Sequence, residues 1–118
     1  TITPTPIPYY VLHLSFGPNT RYPDLGCGWF GFIGRVSDAS NRPLEGVTVR
    51  IWAPGWSGLQ TATSASGEYE QFLDNHPRHE KWQVQLYEWN VPVSEVVTVE
   101  SRADCDAMVI QLNWRRGY

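Results

Sequence analysis

Lysine occurs once in these 118 residues, at Lys81, and methionine once, at Met108. Nine basic residues stand against twelve acidic ones, for a formal charge of −3 and a pI near 5.5. That balance removes the attraction to phosphate backbones on which nucleic-acid binding depends, so no nucleic-acid partner is expected. No apolar run approaches the roughly 18–20 residues that a membrane-crossing helix needs, and no signal-peptide pattern opens the chain. No membrane insertion is therefore expected. No window longer than a turn or two carries apolar residues at a 3.6-residue period, which leaves little room for helices. Equally missing are a G-x-S-x-G turn and any strand that pairs Ser with His, so no nucleophile has a base beside it. The chain is expected to be no enzyme, with no catalytic residues, no cofactor and no bound metal.

Cysteine is scarce as well. Cys27 and Cys105 are the only two, 78 positions apart. A metal site would call for closer clusters and more ligands, whereas an isolated pair in a secreted protein reads as one disulfide. Closing so long a loop stabilises by about 4.5 kcal/mol in the chain-entropy account. The alternative is two buried free thiols. Asp24-Leu25-Gly26-Cys27 and Asp104-Cys105-Asp106 each lie just ahead of a strand pattern, so the pair can bridge if those strands are neighbours.

What the sequence does have is aromatic and β-branched residues, with six Trp and an aromatic fraction of 14%. That supply of large side chains excludes disorder. Residues 1–8 alternate Pro with Thr or Ile, the composition of a semi-rigid linker between extracellular modules. The chain starts at Thr1 rather than Met, as a processed or excised segment would. Residues 9–118 have the length of a single domain. From Tyr9 onward nearly every segment alternates with period two between Gly, Pro, Asn and Asp punctuation. Tyr10, Leu12, Leu14 and Phe16 fall on one face of the first strand. Further strands are expected at Trp29–Val36, Val47–Ala53, Leu59–Ser64, Glu68–Leu73, around Trp82–Tyr87, at Val93–Val99 and at Met108–Trp114. Ala65-Ser66-Gly67 reads as a hairpin turn between two of them. Seven to eight short strands at this spacing predict an all-β, antiparallel sandwich.

Three stretches then carry a resemblance. Gly34-Arg35-Val36-Ser37-Asp38, Pro43-Leu44-Glu45-Gly46-Val47-Thr48-Val49, and Thr61 to Ser64 followed by Gly67-Glu68-Tyr69 are together similar to carboxypeptidase regulatory-like domains. The resemblance covers roughly residues 33–114 and implies the transthyretin-like (prealbumin-like) sandwich. It also implies an extracellular or cell-surface accessory role, with other domains of the parent chain or a surface protein as partner. Tyr9–Phe32 has no counterpart in that pattern and is expected to add a strand or wrap one end. Intradiol dioxygenases share the stretch through Ile51-Trp52, but their iron needs two Tyr and two His at alternate strand positions. Here His76 and His79 are three apart in a loop. Isopeptide-forming adhesin domains need a first-strand Lys, where this chain has Arg35.

Among side chains that could bind something, His76, His79 and Glu80 share a polar loop but lack a fourth ligand for zinc. Asp104, Asp106 and Asp74 lack the spacing of a calcium loop. The aromatics are the sharper candidates. Trp52 and Tyr87 fall on the outward parity of their strands, Trp56 sits between glycines, and Trp89 follows a strand end. Exposed rings of this kind stack on sugars or dock on proteins, so polysaccharide is the second candidate partner. The alternative is that Tyr9–Phe32 or an edge loop covers them.

Overall fold

The structure, a computed structural model, describes residues 8–118. The Thr/Pro-rich linker expected at 1–8 thus lies outside the described residues, except for Pro8. Nine strands follow in chain order: β1 (Tyr9–Gly17), β2 (Phe30–Ser37), β3 (Thr48–Ala53), β4 (Trp56–Ala62), β5 (Glu68–Asp74), β6 (Lys81–Glu88), β7 (Val91–Pro92), β8 (Val97–Glu100) and β9 (Val109–Arg116). They form two sheets, one ordered β1-β9-β2-β5 and the other β4-β3-β6-β7, with β8 also on β6. This is the expected β-sandwich, with one strand more than expected and with one parallel pair, β2 beside β9.

Alternation along the strands explains why the two sheets close on each other. Phe32, Val36, Ile110, Leu112 and Trp114 of one sheet meet Val49, Ile51, Trp82, Val84, Leu86 and Val99 of the other, all buried. Burying each such side chain stabilises by about 1.5–3 kcal/mol relative to exposure. Among the described residues, the buried Trp114 indole N–H and the Arg115 Nε lack a partner, but other buried polar groups are paired. Fully buried Ser101 accepts the Trp82 indole N–H at 2.9 Å and donates to the Arg78 carbonyl at 2.6 Å. Thr63 accepts the Val47 amide at 2.9 Å and donates to the Leu44 carbonyl at 2.6 Å.

Gly34 is set by close packing. It lies opposite Tyr69, whose buried ring covers it and whose hydroxyl donates to the Leu112 carbonyl. A Cβ at position 34 would run into that carbonyl and the ring together.

The unmatched segment both adds a strand and wraps the sandwich. β1 takes the sheet edge beside β9. Residues 18–29 then cross to the opposite edge, where Arg21 pairs with Glu70 at 3.1 Å and the Tyr22 hydroxyl bonds the same carboxylate at 2.8 Å. Trp29, 5% exposed, ends this strap between Tyr22 and Phe72, with ring centroids 5.6 and 6.1 Å away. Cys27 then meets Cys105 in a disulfide, with Cα atoms 5.4 Å apart and both residues exposed to solvent. The parallel pairing of β2 and β9 brings the two strand starts to one pole, so the residues preceding them meet there.

Three local expectations are corrected. The pairing of β1 slips between Val11 and His13, so Tyr10 pairs with outward-facing Arg115 while Leu14 and Phe16 pair with core residues Leu112 and Ile110. The four residues therefore do not share a face. Leu59–Ser64 and Glu68–Leu73 are not a hairpin, because β4 pairs with β3 and β5 with β2. The turn closed by Gly67, at φ 76°, is a corner between sheets. Val93–Val99 is interrupted because the Ser94 hydroxyl accepts the Leu86 amide at 2.9 Å, displacing a ladder bond by a side chain.

Replacing both cysteines by Ser lowers stability by about 2–4 kcal/mol, read as a shift of the urea midpoint. An unchanged midpoint would show that the strap holds without its bridge. Gly34→Ala costs about 3 kcal/mol in the same measurement, and a neutral effect would contradict the packing described for Tyr69.

Candidate functional site

The four candidate rings occupy three places. Trp52 and Tyr87 are half-buried on the outer face of the five-stranded sheet, where polar side chains surround them. Trp52 lies across from Gln83 on β6, with the Arg50 guanidinium 5.5 Å from its ring centre. Gln83 in turn accepts the Thr98 hydroxyl at 2.8 Å. Tyr87 lies across from Thr48, four residues back along β3, and donates to the Gln85 carboxamide at 2.8 Å. At about 3.3 Å per residue, the two rings are about 13 Å apart along the strand direction.

Trp89 stands alone. With Asn90 it forms the two-residue turn between Glu88 and Val91, and both have positive φ, 52° and 63°. Such turns favour Asn-Gly, because a left-handed backbone costs a non-glycine residue roughly 1–2 kcal/mol. Asn90 suits its position and Trp89 does not. The indole meets no compensating partner, since it is 96% exposed. The base of the turn is firmly held by the buried Tyr9, whose hydroxyl bonds Glu88 and whose amide donates to the Val93 carbonyl at 3.0 Å. Burial, followed by the bond to Glu88, pushes the Tyr9 phenol well above its usual range.

Trp56 lies at the opposite pole and turns inward rather than towards Trp52. It pairs with buried Ala53 and meets buried Trp82 edge to face at 5.9 Å. Its ring, 39% exposed, walls a cleft of about 360 Å³. The rest of the lining is Ala53, Pro54, Gly55, Leu73, Arg78, Glu80 and Trp82. Arg78 lies 5.7 Å from the Trp82 ring centre, 3.5 Å from Asp74 and 3.4 Å from Glu80. Arg78 and Leu73 carry no sequence signal. Neither is in a motif, and only the closing of β5 and β6 around this pole brings them beside Trp56.

The remaining candidates diverge. His76 turns to Asp74 at 3.4 Å, whereas His79 turns to Glu100 on β8 at 3.0 Å. That bond to His79 holds the Glu100 carboxyl below the ordinary carboxylate range. Asp104 pairs with Arg102 at 3.7 Å. Among the described residues, no three His, Cys, Asp or Glu side chains gather as metal ligands. No protein-family model matches this sequence, and no curated protein matches it significantly.

Trp89→Asn raises stability by about 1 kcal/mol, because Asn tolerates the left-handed backbone and little packing is lost. A urea midpoint that falls instead would mean the indole is held by contacts that its exposure does not reveal.

Proposed function

We propose that this chain is a non-catalytic accessory module of a secreted or cell-surface protein, serving as a spacer that also contacts another protein. Trp89 is the observation that carries this reading. A large apolar ring held in an unfavourable turn, fully in water and away from other aromatics, has the form of a single anchor. Trp is enriched among the few residues that dominate protein interfaces, where one ring fills one pocket. A residue held in a strained backbone conformation by its surroundings is itself a pointer to use.

Two further features support the reading. An exposed disulfide suits an oxidising compartment, since cytosolic thiols are kept reduced. The stretches similar to carboxypeptidase regulatory-like domains each have work in the sandwich. Gly34 makes room for Tyr69, and Gly67 closes the corner while accepting the Val36 amide at 2.8 Å. That resemblance implies an accessory role. A carbohydrate-binding module using Trp52, Trp56, Tyr87 and Trp89 is the second reading. A polysaccharide platform needs rings in line, and these lie on a face, at a tip and in a cleft. Only the cleft favours sugar.

A photo-crosslinking phenylalanine at position 89, introduced into the protein as its own secreting cells display it, gives one discrete protein adduct. The same probe at exposed Leu59 does not. Equal and diffuse labelling from both positions would sink the anchor.

A further inference from the structure

The cleft at the Trp56 pole brings three features together in one recess. Its wall includes the Trp56 indole, 39% exposed, and an aromatic ring can stack on the C–H face of a sugar. Its charged groups are preorganised. The loop bearing Arg78 and Glu80 is pinned by fully buried Ser101, which donates to the Arg78 carbonyl at 2.6 Å and accepts the Glu80 amide at 3.2 Å. The indole N–H of Trp82 is fixed on the same hydroxyl. A rigid site loses little freedom when it binds. Finally, its hydrogen-bonding capacity is underused. The Arg78 contacts to Asp74 and Glu80, at 3.5 and 3.4 Å, are long for charge-assisted bonds of about 2.7–2.9 Å. A guanidinium has five N–H donors, and a carboxylate about four acceptor sites.

We propose that this cleft binds one neutral pyranose unit, stacked on Trp56, with its hydroxyls accepting from Arg78 and donating to Glu80. Charge selects the class. One guanidinium beside two carboxylates leaves this group of three with a net negative charge, which disfavours phosphates and uronic acids. Arg78 beside the ring disfavours an amine. A neutral ligand with one apolar face and vicinal hydroxyls matches what remains. At about 360 Å³ the cleft is near the lower end of small-molecule sites, about 300–1,000 Å³. A single ring therefore suits it better than a chain lying along a sheet.

The inference goes beyond the accessory reading and concerns the opposite pole, so the two fail separately. The test is a titration of the uniformly ¹⁵N-labelled protein with neutral cello-, xylo-, manno-, malto- and chito-oligosaccharides, followed by indole and backbone cross-peaks. One of these sugars should give saturable shifts of the Trp56 and Trp82 indole signals. Arg78→Gln should weaken that binding at least ~10-fold, the loss expected for a charged hydrogen-bond donor. Trp56→Phe should retain some of the affinity and Trp56→Ala should lose it, while Trp52→Ala leaves it unchanged. Arg78 is exposed at the surface, so its variant tests the site even if a Trp56 variant proves unstable. The proposal is overturned if no neutral sugar moves the cleft signals. It is equally overturned if the shifts map to Trp52 and Tyr87, or if glucuronate or inorganic phosphate binds better than the neutral sugars.

Discussion

β2 and β9 run side by side in the middle of the four-stranded sheet, pointing the same way, and much of the molecule follows from that direction. Because they are parallel, both strands start at one pole, and the segments leading into them arrive together. That is where Cys27 reaches Cys105. The bridge fixes the end of the strap that crosses the sheet, and Trp29, next to the bridge, is thereby pressed against Phe72. The same pairing sets Leu112 beside Gly34, so that the Tyr69 hydroxyl finds the Leu112 carbonyl across an open glycine. If the two strands were antiparallel, the cysteines would be a strand length apart. Eight residues at about 3.3 Å each would separate them by far more than a disulfide spans.

Much of this is legible in the chain because a half-buried strand writes its faces as alternation. Val47, Val49 and Ile51, or Trp82, Val84 and Leu86, announce both strand and core without any partner being known. What alternation cannot carry is anything decided by one hydrogen bond between distant residues. The slip between Val11 and His13 reverses the facing of half of β1, and it depends on pairing with β9, a hundred residues away. Ser94 reads as one residue in a β-rich run, yet its hydroxyl captures a backbone amide and breaks that run in two. Gly67 marks a turn in the sequence as it does in the fold, but turn chemistry does not say whether the chain returns to the same sheet. The site is legible to the same degree. Each aromatic is visible as a candidate, while the inward turn of Trp56 and its meeting with Arg78 need the closed fold.

The two poles differ in how they meet solvent. At one, Trp89 is held out by a turn that would suit a smaller residue, and the ladder beneath it is secured by Tyr9. At the other, Trp56 is half withdrawn and edge-on to Trp82, with charges gathered round it. The same residue type thus stands as a projecting apolar surface in one place and as the wall of a recess in the other. Between them the outer face of the five-stranded sheet is a field of amides, hydroxyls and one Arg50–Trp52 stack. Polar groups of this kind let one face of a sheet meet water.

The ends of the described chain meet at the Trp89 pole. Tyr9 lies opposite Arg116, and the Gly117 amide donates to the Pro8 carbonyl at 2.6 Å. This arrangement decides how the domain answers tension. A pull on both ends loads the β1–β9 ladder from its open end, so its bonds break in succession, as in a zip. Strands pulled past each other lengthwise would share the load along their whole length. The first rungs are therefore the mechanically decisive ones, and the anchoring of Tyr9 to Val93 and Glu88 is what stands between a steady pull and the loss of the edge strand.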